Sequence, residues 1–221
     1  MFSLFNSPKS SPEETVAAKN VRRPLSFLFY GRSGSGKGTQ AKLLEAYLKK
    51  ETGADVLYIE TGKGLRDLAG KDKLLTGRLT KDVVMSEGGL MPEFLPIWVW
   101  ADVLVNNYTG GEHLILDGLA RRVDEVPVLS SAFRFFGIDR PYIIYLNVSR
   151  ERAFTMLKGR GRADDTDESI NRRLDWFDNS VQFALESIKS VPSYRYIEIN
   201  GEQDIEKVQA DIVAAIEELK S

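Results

Sequence analysis

The amino-acid sequence predicts an α/β fold in which a parallel β-sheet carries helices on both faces. Short apolar runs alternate with longer segments of helical periodicity along most of the chain, and each run is apolar enough to be buried on both faces. Strands that alternate with helices pair in parallel, because each helical crossover returns the chain to the same edge of the sheet. Length and composition agree with one compact domain, since 43% of the 221 residues are hydrophobic and 28% are charged.

The elements follow in a regular order. The predicted strands are residues 25–30, 55–59, 113–116, 142–148 and 194–199. The predicted helices are residues 37–50, 80–87, 93–107, 123–136, 151–158, 167–190 and 205–219. Ligands of such sheets bind beyond the carboxyl ends of the strands, so the segments that follow strands are the candidates for chemistry.

Residues 1–23 are expected to form a disordered, solvated tail ahead of a domain at residues 24–221. The apolar patch before Pro8 is too short for a signal peptide or a membrane span, and Glu13 and Glu14 interrupt any transit-peptide pattern. Docking of Phe2 and its apolar neighbours onto a partner is the alternative.

Charge and cysteine content exclude several classes of function. The net charge of −2 argues against a protein that coats nucleic acid or an anionic membrane. Cysteine is absent from the sequence, which removes disulfides, thiolate catalysis and thiolate zinc sites. We therefore expect a cytoplasmic protein, and we expect a monomer because no apolar stripe is left unassigned.

The strongest motif is a glycine-rich loop, GRSGSGKGT, between the first predicted strand and the first predicted helix. This arrangement is that of a phosphate-binding P-loop, in which backbone N–H groups and a helix N-terminus face phosphate oxygens. Lys37 adds a mobile positive charge, and Gly38 stands where most P-loops carry a magnesium-binding hydroxyl. The nucleotide-binding residues predicted from the loop are Gly31, Ser33, Gly34, Ser35, Gly36, Lys37, Gly38 and Thr39.

Further segments appear in the order of a known family. They are GRSGSGKGTQ at 31–40, TGKGLR at 61–66, GGLMP at 88–92, LILDGLAR at 114–121, GRADD at 161–165, RRL at 172–174 and INGEQDIEKV at 199–208. Together they resemble the adenylate kinase branch of the nucleoside monophosphate kinases over about residues 24–219. The resemblance implies a P-loop NTPase fold with a central five-stranded parallel sheet, a helical acceptor-binding insert at residues 61–92 and a short lid at residues 159–166. It also implies transfer of the γ-phosphoryl group of ATP to a nucleoside monophosphate, with Mg²⁺.

The family implies a role for each matching side chain. Lys37 would span the donor phosphates, Arg121 would contact the acceptor phosphate, and Asp117 would be an outer-shell partner of Mg²⁺ through water. The arginines that close over the phosphates match Arg160, Arg162 and Arg173, with Asp164 and Asp165 as the acidic pair beside them. Acceptor contacts are implied for Thr61, Gly62, Arg66, Met91, Gly118, Arg121 and Glu125.

Each role has a structural alternative. Asp117 could be a turn or cap residue, because Asp-Gly is a common turn signal. Arg66 and Arg173 could be solvated helix cations, and Arg160 and Arg162 could simply keep a glycine-rich loop soluble. Three tryptophans in apolar helical runs are expected to pack in the core rather than stack on a base: Trp98, Trp100 and Trp176.

The sequence departs from the family at positions that bear on substrate choice. Lys63 replaces the usual Asp, Leu119-Ala120 replaces Phe-Pro, Met156 aligns with a donor-stacking arginine, and Glu125 holds the base-reading position of a Gln. An ionised Glu only accepts hydrogen bonds, which suits guanine N1–H and N2–H₂ better than adenine N1. Lys63 either adds a cation near the acceptor phosphate or is solvated.

Three hypotheses for function follow. The first is an active nucleoside monophosphate kinase that uses ATP and AMP and acts on small nucleotides alone. The second, motivated by Lys63, Ala120 and Glu125, is a catalytically weak nucleotide-binding or scaffold protein of the same fold. The third is a P-loop kinase for another small acceptor.

Overall fold

Five parallel strands form one sheet in the computed structural model, which describes residues 24–83, 91–162 and 165–219. The strands are β1 (Ser26–Tyr30), β2 (Val56–Glu60), β3 (His113–Asp117), β4 (Tyr142–Asn147) and β5 (Arg195–Asn200). Their order across the sheet is β2-β3-β1-β4-β5, and each neighbouring pair is parallel. The predicted α/β class is confirmed. The carboxyl ends of the strands all lie at one edge, where the P-loop, Glu60 and Asp117 are found.

Helices connect the strands. They are α1 (Lys37–Thr52), α2 (Thr61–Ala69), α3 (Leu75–Lys81), α4 (Phe94–Asn107), α5 (Glu125–Phe135), α6 (Arg150–Arg160), α7 (Asp167–Trp176), α8 (Gln182–Lys189) and α9 (Ile205–Glu218). A π-helical turn, Phe177–Val181, joins α7 to α8. Within the described residues, no helix combines the length and the apolar character that crossing a membrane requires.

Alternate residues of β1 point into two separate cores. Leu28 belongs to a cluster formed with α4, α5 and α8, whereas Phe27 and Phe29 belong to a cluster formed with α1 and α9. Because successive strand residues face opposite sides of a sheet, a strand that is apolar at every position is covered by helices on both faces. The continuous apolar run therefore explains why the sheet is a buried middle layer.

The prediction that every strand is buried on both faces is wrong for the two edge strands. Four of the five positions of β2 are partly exposed, and in β5 the side chains of Glu198 and Asn200 are exposed. An edge strand has a neighbour on one side only, so its apolar character does not guarantee two covered faces.

The helical predictions need three corrections. Residues 61–69 form α2, which the apolar periodicity did not predict, although the family resemblance implied a helical insert over this stretch. The helix predicted at residues 80–87 is found as α3, which begins at Leu75 and ends at Lys81; residues 84–87 lie outside the described part of the chain. The helix predicted at residues 167–190 is interrupted by the π-helical turn. The predicted tail at residues 1–23 also lies outside the described residues, and the domain boundaries stay predictions.

Candidate active site

A cavity of about 710 Å³ opens at the carboxyl edge of the sheet. It is bounded by the P-loop, by the segments that follow β2 and β3, and by α6 and α7. The structure brings most of the predicted site residues to its wall: Ser33, Gly34, Gly36, Lys37, Gly38, Thr39, Thr61, Gly62, Arg66, Met91, Asp117, Gly118, Arg121, Glu125, Arg160, Arg162 and Arg173. Gly31 and Ser35 do not line this cavity.

The P-loop takes its shape from residues with backbone conformations that favour glycine. Gly34 and Gly36 have φ angles of 86° and 88°, in the left-handed region. A Cβ on Gly34 would stand 2.5 Å from the carbonyl oxygen of Ala153, so the loop packs directly on the backbone of α6. Ser35 is buried beneath the loop, near Gly31, where its hydroxyl has no partner among the described residues. Gly31 and Ser35 therefore support the loop from inside.

Lys37 lies at the start of α1 and folds back over the loop. Its Nζ atom donates hydrogen bonds of 2.8 Å to the carbonyl oxygens of Gly31 and Arg32. Burial lowers the pKa of Lys37 to about 8. The positive charges of Arg121 and Arg160 also lower this pKa, whereas the negative charge of Asp117 raises it. The ammonium thus lies in a cationic environment, which an anion between these groups would relieve.

Asp117 ends β3 as a buried carboxylate beside the P-loop helix. Burial raises its pKa, while Lys37 and Arg121 act in the opposite direction. Its Oδ2 atom accepts a hydrogen bond of 3.2 Å from the Tyr58 hydroxyl and lies 3.6 Å from the position that a Cβ on Gly38 would occupy. Asp117 thus directly precedes a turn at Gly118 and is also a buried carboxylate on the cavity wall.

The donor set suits a hydrated magnesium ion. No cluster of three or more acidic or histidine ligands occurs within the ranges the structure describes, and Gly38 brings no hydroxyl. Mg²⁺ keeps several waters and binds through one or two carboxylates and substrate phosphates, so one buried carboxylate at the P-loop fits it.

Arg121 follows a tight turn after β3. Its Nε atom donates to the carbonyl oxygen of Gly118 at 3.1 Å, and the side chain leads from that turn into the cavity. Ala120 has a φ angle of 48°, in the left-handed region, and its carbonyl oxygen accepts a 2.5 Å hydrogen bond from the buried Tyr30 hydroxyl. Proline fixes φ near −65°, so the family's Pro does not fit the backbone conformation seen at this position.

Arg160 at the end of α6 and Arg173 on α7 share one carboxylate. Arg160 donates to both oxygens of Asp165, at 2.7 and 2.9 Å, and Arg173 donates to Oδ1 at 2.7 Å. Burial alone would raise the pKa of Asp165, but the hydrogen bonds from the two arginines outweigh it and hold the pKa below its ordinary value. Arg162 lines the same cavity, whereas Asp164 lies outside the described residues.

The two basic residues of α2 differ in position. Arg66 lines the cavity and donates to Glu60 Oε1 at 2.7 Å, so a carboxylate holds it there before any ligand binds. Lys63 instead pairs with Asp67 one turn along the helix at 2.6 Å, and both side chains are mostly exposed. In this structure Lys63 is solvated rather than part of the cavity wall.

Glu125 is the first residue of α5 and is 3% exposed. Its Oε2 atom has no hydrogen-bond partner among the described residues. Burial raises the pKa of this carboxyl, and the negative charge of Glu93 raises it further. A hydrogen bond from the Arg121 backbone and the positive charges of Arg121 and Arg122 act in the opposite direction. A buried acceptor without a partner, on the wall of a cavity, marks a point where a ligand can supply a donor.

Several residues of the site carried no clear signal in the sequence. Tyr58 lies two residues before Glu60 in β2, and this spacing places both side chains on one face of the strand. That spacing is the feature of the sequence from which Tyr58 could have been assigned to the site. Arg32 stacks over the Phe177 ring at 4.4 Å and donates to Asp178 at 2.6 Å, tying the P-loop to the π-helical turn.

The tryptophans do not all pack as expected. Trp100 is buried in the core, but Trp98 is 49% exposed. Trp176 is half-buried and lines the cavity, close to Arg173 and the P-loop. The expectation of core packing is therefore wrong for Trp98 and Trp176. When a helical segment is apolar on more than one face, its sequence does not show which face packs against the core.

A P-loop at the edge of a parallel sheet, with arginines across the cavity from it, defines a P-loop kinase. Residues 30–171 match the family described as AAA domain. The chain is 30% identical to an adenylate kinase of Prochlorococcus marinus (strain AS9601), covering 84% of this chain and 94% of that protein. It is also 30% identical to an adenylate kinase of Phocaeicola vulgatus, covering 88% of this chain and 100% of that one.

The chain therefore belongs to this P-loop family and, within it, to the adenylate kinases and related nucleoside monophosphate kinases. It is a phosphotransferase that uses a nucleotide as donor.

Proposed function

We propose that the protein transfers the γ-phosphoryl group of ATP to AMP in the presence of Mg²⁺, giving two molecules of ADP. The observation that carries the proposal is one cavity that is lined both by the P-loop and by the segment that follows β2. Lys37 comes from the P-loop side, Thr61 and Arg66 follow β2, and Arg121 follows β3 on the same wall. Two nucleotides that bind on these two sides would bring their phosphates together between these cations.

Phosphoryl transfer makes few covalent demands on a protein. It needs the attacking and leaving oxygens in line, positive charge around the transferred group, and a site from which water is excluded. Lys37 would follow the transferred group from the donor, and Arg121 would hold the acceptor phosphate facing it. Arg66, released from Glu60, would hold the same phosphate from the other side. No side chain has to remove a proton from a phosphate that is already ionised.

Magnesium, when bound, would offset phosphate charge and orient the donor. Asp117 would hold its water shell from the end of β3, since Gly38 offers no hydroxyl at the usual position. Tyr58 would fix the orientation of that carboxylate through its 3.2 Å hydrogen bond.

Closure is assigned to the short connection between α6 and α7. Gly161 ends α6 with a φ angle of 67°, and the described arginines on either side of it line the cavity, Arg160 before and Arg162 after. Arg173 on α7 is linked to Arg160 through Asp165. We propose that these arginines move onto the phosphates together and exclude water from the transfer step.

A coupled assay tests this function. ADP formation should depend on Mg²⁺, ATP and AMP together, and Lys37→Ala or Arg121→Ala should reduce kcat/KM by about 100-fold or more. Lys63→Ala is the matched control, because it removes an exposed lysine outside the cavity and should leave the rate unchanged. Protein that is inert toward AMP, GMP, CMP, UMP and dTMP would refute the proposal.

The scaffold alternative receives little support from the geometry. Lys63, one of the residues that motivated it, does not enter the cavity. Calorimetry separates the two functions, because a scaffold would bind ATP or AMP tightly without turnover. We further propose that the protein acts as a cytoplasmic monomer on small nucleotides, in agreement with its lack of cysteine and its small net charge.

A further inference from the structure

The acceptor end of the cavity contains two buried polar atoms without partners. Glu125 and Thr61 are 3% and 2% exposed, and neither Oε2 of Glu125 nor Oγ1 of Thr61 has a hydrogen-bond partner among the described residues. Three apolar residues, Leu65, Met91 and Pro96, line the same cavity. A pocket with apolar walls and buried polar atoms suits a flat heterocycle with polar edges.

The groups that face Glu125 come from three elements. Arg121 and Arg122 precede it in the turn after β3, Glu93 precedes α4, and Tyr30 ends β1. Arg122 forms an ion pair with Glu93 at 2.8 Å, so much of its charge is already balanced. Burial raises the pKa of the Glu125 carboxyl, the arginines act against this increase, and Glu93 adds to it. A carboxyl whose pKa is raised from the ordinary range changes protonation closer to neutral pH.

The two forms of this carboxyl differ in the purines that they can recognise. The neutral form has one O–H donor and one C=O acceptor, which match the N1 acceptor and N6–H₂ donor of adenine and also the O6 acceptor and N1–H donor of guanine. The ionised form has acceptors only, which match the N1–H and N2–H₂ donors of guanine. A mismatch leaves a buried polar group without a partner, and such mismatches discriminate strongly between substrates.

We propose that the protonation state of Glu125 selects the acceptor purine, so that AMP is accepted only by the neutral carboxyl whereas the carboxylate accepts GMP. The inference rests on the proposed function, because it assigns the base at the acceptor end of the same site. It predicts one enzyme whose preference between two purine monophosphates depends on pH.

The measurement is the ratio of kcat/KM for AMP to kcat/KM for GMP, from about pH 5.5 to about pH 8.5. Titration of Lys37 and of the donor affects both reactions equally and cancels in the ratio. The ratio should fall as pH rises, by up to about tenfold for each pH unit above the titration of Glu125.

Two variants make the test specific. Glu125→Gln keeps a donor and an acceptor at every pH, so its ratio should stay constant across the pH range. Glu93→Gln removes a neighbouring negative charge and leaves the Glu125 carboxyl in place. The ratio should therefore still depend on pH, but the midpoint of its change should move to lower pH.

Binding of AMP and GMP to the wild-type protein, followed by calorimetry without donor, supplies a readout that does not need turnover. The ratio of the affinity for AMP to the affinity for GMP should fall with pH in the same way as the ratio of kcat/KM. The inference would be overturned, even with an active enzyme, if the AMP-to-GMP ratio changed equally with pH in wild type and in Glu125→Gln. A ratio that is constant with pH in wild type would overturn it as well. Absence of turnover with every acceptor would refute the proposed function instead. The binding data would then still show whether Glu125 selects between AMP and GMP.

Discussion

The guanidinium of Arg173 donates from Nη2 to Oδ1 of Asp165 at 2.7 Å. Arg160 donates to the same carboxylate through two further hydrogen bonds. The Asp165 side chain is 1% exposed, and it connects the end of α6 to α7. One buried carboxylate therefore positions two of the cations that line the cavity.

Asp165→Asn should reduce both stability and activity. The amide cannot accept the same charge-assisted hydrogen bonds, so we expect the free energy of unfolding at neutral pH to fall by about 2 kcal/mol. With both arginines less fixed, kcat/KM should fall roughly 10-fold. Urea unfolding and the coupled assay measure the two effects.

The pH dependence of stability gives the control for this variant. The pKa of Asp165 is lowered in the folded protein, so its stabilisation is present above the unfolded value and is lost as pH falls through the folded value. Wild type should lose this contribution in acid, whereas Asp165→Asn should not. Asp175→Asn removes the ion pair between Asp175 on α7 and Arg150 at the start of α6, whose carboxylate is exposed, and should change stability by less than about 1 kcal/mol. Equal losses in the two variants would contradict the assignment.

Lys37 should set the basic limb of the pH–rate profile. Its pKa of about 8 belongs to the unliganded protein, and kcat/KM reports groups of the free enzyme. We therefore expect kcat/KM for ATP to fall above about pH 8, where the ammonium loses its proton. Arginine stays charged in this range, so Lys37→Arg should lose the basic limb even though its rate is lower. A Lys37→Arg profile that keeps the same limb would assign the titration to another group.

Ala120→Pro should destabilise the turn that carries Arg121. The φ angle of 48° at Ala120 is closed to proline, so the backbone must rearrange and the hydrogen bond from Tyr30 must weaken. We expect a loss of about 3 kcal/mol in the free energy of unfolding, measured by urea denaturation. Ala120→Gly accepts the left-handed conformation and should stay within about 1 kcal/mol of wild type. A proline variant as stable as the glycine variant would contradict the observed turn.

The sequence was sufficient for the features that depend on local pattern. The P-loop could be predicted because its glycines, Lys37 and the flanking strand and helix are contiguous, and the buried strands could be predicted from their continuous apolar character. The order of strands could not be predicted, since parallel pairing joins residues far apart in the chain. The edge positions of β2 and β5, which separate them from the central strands, follow only from that order.

The missed features depend on tertiary contacts. Helix α2 contains Gly62 and Gly64, which are weak helix formers, but a Cβ on Gly64 would stand 2.4 Å from Val99. Close packing on α4 therefore requires the small residue and stabilises a helix that local propensity does not favour. Trp176 was missed for a similar reason, because the cavity wall at α7 is defined only when the P-loop packs against it.

The most direct test of the account follows the terminal phosphorus of ATP. With γ-labelled ATP, Mg²⁺ and AMP, the label should appear in ADP formed from AMP, and Lys37→Ala should abolish this transfer while Lys63→Ala preserves it. Release of the label as inorganic phosphate, or retention in ATP with every monophosphate supplied, would contradict transfer between two nucleotides in this cavity.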